Sequence, residues 1–375
     1  MCKSSSKALA PTASRRRSPS SSAAASSSIT SAARPSSSSS LGPHHHATTT
    51  ASPSSSGSSR SRLAAARACL PSPPLLYSFQ ELAAATNGFL SKRDSSSTYW
   101  RCSLRGRDAA LFQLRAVPGL TPTDASAALA RTARYHHASL APLLGACLAG
   151  LHVYLAYRLP PHAATLAACH FRSCNGSKCL NLVGTWLSRV QVAVDIAQGI
   201  DYAHTHVDAV HGRLSPSTVF LVPYPGHHGL RATLTHFGAN RFAQSNDDAA
   251  AQSDVRAFGV LLLQLLSGEA EASKCRFDRA TKEFARVSVL DTAADALRTG
   301  RVRTWVDRRL GDTFPVPAAE KLVEVALRCA MPAEERPAPE MSWVAGKVSK
   351  VYVESSAWEH QRQHCDGYSV SLAPR

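Results

Sequence analysis

An α+β chain, with a small strand-rich part followed by a larger helix-rich part, is predicted by three features of this 375-residue sequence. The first is a set of short runs suited to strands. Trp100 to Leu104 and Ala109 to Val117 read as a pair joined through Arg105-Gly106-Arg107-Asp108, and His152 to Tyr157 reads as another strand. The second is helical periodicity: Trp186, Val190, Ala193, Ala197 and Ile200 fall on one face at a spacing of three to four residues. The third is Val255 to Leu266, which is apolar nearly all round, the pattern of a helix buried on every side. Further helices are expected over Ala318 to Cys329 and after Pro339.

Ahead of this lies a segment of different composition. Ser accounts for 24 of the first 62 residues, interrupted by Arg15-Arg16-Arg17 and His44-His45-His46. So few large apolar side chains cannot offset the entropy of ordering, and residues 1–70 are expected to be a disordered basic tail ending at Pro71 to Pro74. The tail carries nine Lys or Arg, whereas the first acidic residue is Glu81, so more than half of the net charge of +16 resides there. The folded domain is expected over residues 71–352, divided near 158, with 353–375 as a C-terminal tail. No stretch approaches the roughly 18 to 20 apolar residues of a membrane span, and the start lacks a secretory h-region. The ten cysteines are therefore expected to be reduced thiols in a cytoplasmic setting. Cys2 and the basic tail offer a route to the plasma membrane surface, and the acid-free composition also suits an organelle transit peptide.

Several blocks resemble the kinase domains of plant receptor-like and receptor-like cytoplasmic kinases. Tyr77-Ser78-Phe79-Gln80-Glu81-Leu82 with Ala85-Thr86-Asn87-Gly88-Phe89 is similar to that family's leading segment. His137-Ala138-Ser139-Leu140 with Leu143-Leu144-Gly145 resembles the stretch after the αC helix, and Tyr154-Leu155-Ala156-Tyr157 the strand entering the hinge. Ile200-Asp201-Tyr202-Ala203-His204 resembles the end of the helix before the catalytic loop. Ser253 to Val260 resembles the buried αF helix, and Leu327-Arg328-Cys329 with Arg336-Pro337 and Met341 the closing helices. The LysM-type receptor kinases are one branch that the chain resembles. The resemblance spans residues 77–352 and implies a two-lobed protein-kinase-like fold, with an N-lobe over 77–158 and a C-lobe over 159–352.

The same resemblance implies chemistry that the residues then contradict. Phosphoryl transfer uses a phosphate cradle, a cation on the phosphates, a carboxylate holding that cation, metal ligands and a carboxylate base. Where a glycine-rich loop is expected, Ser95-Ser96-Ser97-Thr98-Tyr99-Trp100-Arg101 has no glycine. No Lys occurs from residue 93 to 177, so the strand cannot supply the phosphate-binding lysine. Aligned by motif, Leu114 takes that position and Phe112 that of the small residue touching adenine; a one-residue shift would put Arg115 in the cleft. Ser96, Ser97, Tyr157 and Arg158 complete the candidate nucleotide pocket. No Glu occurs from 82 to 268, and Ala128 stands near the place of the αC glutamate. Val210-His211-Gly212-Arg213-Leu214-Ser215-Pro216-Ser217-Thr218 aligns without a gap to His-Arg-Asp-Leu-Lys-Pro-x-Asn. Arg213 replaces the catalytic aspartate, Ser215 the lysine and Thr218 the metal-binding asparagine, and His236-Phe237-Gly238 replaces Asp-Phe-Gly. A guanidinium cannot accept a hydroxyl proton and repels a metal ion, while imidazole is a poor ligand for hard Mg²⁺.

His211, Phe237, Gly238, Asp254 and Arg336 survive, and these are the residues that in this family hold the large lobe together. The expectation is a catalytically impaired kinase homologue, or pseudokinase, that works as a scaffold or allosteric partner of other protein kinases or receptor kinase complexes. Mg²⁺ is not expected as a cofactor, and metal-independent ATP binding is left open. The alternative is an atypical, weakly active Ser/Thr kinase. Nucleic-acid binding is not expected, because three adjacent arginines without interleaved aromatics are a weak signal. Cys169, His170, Cys174 and Cys179 are expected to be free rather than zinc-bound, since four residues separate successive cysteines. The pairs His204/His206 and His227/His228 are expected to be structural or solvated, and for Arg213 the bland alternative to a place in the site is pairing with a nearby acid such as Asp208.

Overall fold

The computed structural model describes residues 73–90, 98–170, 182–223, 229–244, 251–278, 282–331 and 337–366. The expected tail at 1–70, with Cys2, therefore lies outside the described residues, as do Ser96, Ser97, Cys174, Cys179, His227, His228 and Arg336.

The first part is a five-stranded sheet in the order β1-β4-β5-β3-β2, made of β1 (Leu75–Leu76), β2 (Trp100–Leu104), β3 (Arg107–Arg115), β4 (Leu143–Ala149) and β5 (His152–Arg158). In β2 the period-2 alternation is complete, with Trp100, Cys102 and Leu104 buried and Arg101 and Ser103 exposed. The β2–β3 loop has two residues, Arg105 and Gly106, both at positive φ, the geometry of a type I′ hairpin. That tight loop starts β3 at Arg107, two residues before the expected Ala109. β1 was not anticipated, and its parallel pairing with β4 depends on Gly145: a Cβ there would stand 2.1 Å from the Leu75 carbonyl oxygen. Ser78 then caps α1 (Phe79–Ala85) by accepting the Glu81 N–H at 3.2 Å, and Glu81 pairs with Arg105 across the surface.

Both sheet faces are covered. Outside, Leu82 of α1 joins Trp100, Leu104, Leu111 and Tyr154. Inside, α2 (Pro122–Thr132) lays Ala125, Ala128 and Leu129 against Ala110, Phe112, Val153, Leu155 and Tyr157. A reciprocal capping box between Thr121 and Asp124, with Pro122 in the first turn, fixes where α2 begins.

The second part is helical. β6 (Ala164–Thr165) and α3 (Leu166–His170) lead to α4 (Trp186–His206), which is buried on nearly all sides. A small sheet of β6, β7 (Val219–Pro223) and β8 (Leu230–Leu234) packs on α4. α5 (Ala251–Ser267) contains the expected all-round apolar run and packs on α8 (Val316–Ala330), where a Cβ on Gly259 would meet the Ala326 carbonyl at 2.6 Å. Between them stand the antiparallel hairpin β9 (Ser273–Asp278) and β10 (Glu283–Ser288), which was not expected, then α6 (Val289–Arg298) and α7 (Val302–Trp305). The last helix, α9 (Met341–Asp366), runs well past the expected boundary at 352. Its extension is anchored by the buried Trp186 indole, which donates to the Ser355 hydroxyl at 2.9 Å.

Arg189 is the one guanidinium among the largest fully buried side chains described. It donates to the carbonyls of Val183 (2.9 Å) and Leu265 (3.0 Å) and to the Asp307 carboxylate at 2.6 Å, so its charge and its donors are matched. Among the described residues no helix is long and apolar enough to cross a membrane.

Candidate functional site between the sheet and the helices

The centre of the site is held by Asp254 in the first turn of α5. Its carboxylate accepts the backbone N–H groups of His211 and Gly212, both at 2.7 Å, and meets His204 Nε2 at 3.0 Å. Burial alone would raise its pKa, but these hydrogen bonds and the neighbouring His211 outweigh burial and hold it below the ordinary carboxylate range. The buried His211 reaches the Thr235 carbonyl through Nε2 at 2.7 Å, while its Nδ1 accepts the Arg213 N–H at 3.3 Å. His204 is thus a structural histidine, and the other member of its pair, His206, stacks on Tyr202.

Around this anchor the loop satisfies itself. Thr218 Oγ1 accepts the Ser215 N–H at 3.1 Å and lies 2.9 Å from the Ser215 carbonyl, and the Ser215 and Ser217 hydroxyls are 2.8 Å apart. Arg213 is not paired with Asp208; its Nη2 donates to the Gln244 carbonyl. The Gln244 segment is held from the other side as well. Gln244 N–H donates to the Arg115 carbonyl at 3.0 Å, Val117 N–H to the Phe242 carbonyl at 3.0 Å, and Ala116 bridges Ala243. The chain after Gly238 is therefore strapped to the end of β3 and to the loop bearing Arg213. This strap ends β3 at Arg115 rather than at the expected Val117.

Aromatic rings fill the space in front of the loop. Phe112, 2% exposed, stands on His236 with ring centroids 4.5 Å apart and lies 6.0 Å from Tyr157. Tyr99, 3% exposed, packs 5.6 Å from Phe112 and 5.2 Å edge-on from Phe220 of β7. The Tyr157 hydroxyl donates to the Phe237 carbonyl at 3.3 Å, and burial raises its pKa. Of the two inward β3 residues, it is Phe112 that faces His236. Leu114 is half-buried in the same apolar cluster. Arg115 and Arg158 are exposed, so the register shift that would have placed Arg115 in the cleft does not occur. Ala128 packs on the inner sheet face, and Gly238, at φ +76°, lies so close to α2 that a Cβ would stand 2.9 Å from Thr132 Oγ1. Tyr99, Phe220 and the Phe242–Gln244 strap were not among the expected site residues. The large aromatic at Tyr99, on the opposite face from Trp100, Cys102 and Leu104, and the aromatic directly after Val219 were the available signals.

His236 is buried at φ +65° and its Nδ1 lies 2.9 Å from the Thr235 hydroxyl. That hydroxyl donates to the Thr218 carbonyl, so Nδ1 carries the proton toward it. Burial first, then His211 and Arg213, push the His236 pKa down to about 3; burial, with Arg189 and Arg309, does the same to His170, also to about 3. Unfolding releases both to the ordinary value near 6.5, so the unfolded chain binds more protons between about pH 3 and 6.5. Stability is complete above that window and falls with acidification through it. Denaturant unfolding is expected to show a loss of roughly 1.4 kcal/mol from each of these two histidines between pH 7.5 and 5.5, and His236→Asn is expected to remove its own share.

Among the described residues no group of three or more His, Cys, Asp or Glu is placed to hold a metal ion. The candidate set around Cys169 cannot be followed further, since Cys174 and Cys179 lie outside the described residues; Cys169 itself is half-buried at the end of α3.

No protein-family model matches the sequence. A leucine-rich repeat receptor-like serine/threonine-protein kinase of Arabidopsis thaliana is 27% identical over 282 residues, covering 68% of this chain and 30% of that protein. LysM domain receptor-like kinase 3 of the same plant is 22% identical over 326 residues, 76% of this chain and 48% of that protein. The chain thus spans less than half the length of these curated relatives. Among solved structures, the kinase domain of maize sucrose-induced receptor kinase 1, bound to AMP-PNP, superposes with a TM-score of 0.57 at 20% identity, covering 74% of this chain and 97% of that one. The pseudokinase domain of BIR2, described as an immune regulator of the RLK/Pelle family, gives 0.55 at 20% identity over 73% of this chain and 86% of that one.

Proposed function

We propose that this chain, whose homologues are plant receptor-like kinases and whose fold is the two-lobed protein-kinase fold, is a catalytically impaired kinase homologue that acts by binding other protein kinases. The observation that carries the reading is the buried contact of Phe112 with His236, beside an Arg213 tied to the Gln244 carbonyl. The residues present do not fit a magnesium–nucleotide complex. Rings of Phe112 and Tyr99 occupy the inner face of the sheet, and the Thr218 hydroxyl is committed within its own loop. His236 offers a buried neutral imidazole where a hard cation needs carboxylate oxygen, and Arg213 adds positive charge beside it. No proton acceptor stands at position 213, so the chemistry that transfers a phosphoryl group to a hydroxyl has no base there.

What is retained supports a binding role. Asp254 still organises the loop around His211, Gly238 still packs under α2, and the strap joins both parts of the domain through backbone hydrogen bonds. Such a chain presents a kinase-shaped surface without turnover, and the partners we assign to it are active receptor kinases at the cytoplasmic side of the plasma membrane. The competing reading is an atypical weakly active kinase using Arg115 or the serine loop for phosphate; the exposed position of Arg115 does not support the first, and Ser95 to Ser97 lie outside the described residues. Incubating the full chain with labelled ATP and Mg²⁺ or Mn²⁺, alone and with a generic Ser/Thr substrate, is expected to give no incorporation above a heat-denatured control. Metal-dependent incorporation would establish the competing reading instead.

A further inference from the structure

The largest cavity described is not the space in front of the loop. It lies between the end of α2, the segment leading into β4 and the chain preceding β1, with a volume of about 680 Å³. That size falls within the range of small-molecule sites, roughly 300–1,000 Å³. Its lining has two chemistries. Leu140, Leu144 and Phe237, all buried, supply an apolar wall, whereas Arg158 and His136 are exposed and Arg107 is half-buried. No carboxylate lines any part of it.

Strand register puts the two arginines side by side. Arg158 pairs with Ala109, and Arg107 stands two residues before Ala109 on β3, so both project from the outer sheet face as diagonal neighbours, roughly 7–8 Å apart. Neither forms an ion pair among the described residues. Arg107 reaches the Tyr77 phenol, which burial keeps neutral, and Glu81 is committed to Arg105. Two guanidiniums without a counter-charge at the mouth of an apolar hollow suit one ligand chemistry. The guanidinium fork binds the oxygens of a carboxylate, sulfonate or phosphate in pairs, and the leucine and phenylalanine wall takes up an apolar body. A neutral ligand leaves the arginines unused, and a cation is repelled by them. We propose that this cavity binds a small amphipathic organic anion, its charged head on Arg107 and Arg158 and its apolar body against Leu140, Leu144 and Phe237. The site stands apart from the loss of catalysis and from the assigned kinase partners, since it uses none of the residues at positions 112, 213 or 236.

The test uses the full chain and three probes that share one bicyclic body: the anion 2-naphthoate, the neutral 2-naphthylmethanol and the cation 2-naphthylmethylammonium. Calorimetric titration is expected to show a single site for 2-naphthoate, binding of the alcohol weaker by roughly tenfold, and none of the ammonium. Arg158→Gln, an exposed change expected to leave the melting temperature where it was, weakens 2-naphthoate by roughly tenfold and leaves the alcohol unaffected. In the double variant Arg107→Gln/Arg158→Gln the preference for the anion is lost. Inorganic sulfate, a head group without a body, is expected not to displace 2-naphthoate at equal concentration. No binding of 2-naphthoate, equal affinity for the anion and the alcohol, indifference to Arg158→Gln, or displacement by equal sulfate would each overturn the assignment.

Discussion

Phe112→Ala is expected to lower the unfolding free energy by about 3–5 kcal/mol and to leave phosphoryl transfer absent. The ring is 2% exposed and shares faces or edges with Tyr99, Tyr157, Phe220 and His236, so its removal leaves a cavity walled by large side chains. The loss combines the burial of an aromatic ring, its edge-to-face contacts and the void that backbone on three sides cannot collapse into. Activity is not restored, because Arg213 and His236 are unchanged. Chemical denaturation of the variant measures the first part and labelled ATP the second. A loss below about 1 kcal/mol would mean that the ring is not packed as described.

The second large effect is expected at Asp254. Its two oxygens receive the N–H groups of His211 and Gly212 and the ring of His204, and the buried His211 N–H has no water to turn to. Asp254→Ala leaves those donors without an acceptor, at a cost of about 3–5 kcal/mol. Asp254→Asn, which retains one acceptor oxygen, is expected to cost about half as much. Equilibrium unfolding in urea separates the two. Equal losses for Ala and Asn would show that charge, rather than the oxygen acceptors, does the holding.

These two positions differ in how visible they were. His211 sits in a motif that aligns without a gap and Asp254 in a block similar to the buried αF helix, so both were legible as residues that hold the large lobe together. The helices were legible for a related reason: Trp186 to Ile200 and Val255 to Leu266 carry a burial pattern that only one secondary structure satisfies. β1 and the β9–β10 hairpin were not, since two-residue strands and exposed hairpins carry no periodicity of their own and exist through their partners. The run of α9 past residue 352 is held by contacts between residues far apart in the chain, Trp186 to Ser355 and Lys321 to Glu354.

The site itself was legible as a set of replacements and not as a shape. Strand alternation placed Phe112 and Leu114 on one face of β3, but which of them meets His236 is decided by register, Phe112 opposite Leu155 and Leu114 opposite Val153. The Arg213 partner was missed because Gln244 contributes a backbone carbonyl, an acceptor every residue carries and no sequence pattern marks. The same holds for the bonds between the strap and the end of β3, which are all main chain.

The central claim is that this kinase-shaped chain has no place for a magnesium–nucleotide complex. Thermal unfolding of the full chain with saturating ATP, alone and with Mg²⁺ or Mn²⁺, tests it most directly, because a ligand bound to the native state raises the melting temperature by mass action. The account predicts the same melting temperature with and without ATP in every metal condition. A rise that requires the metal would contradict it.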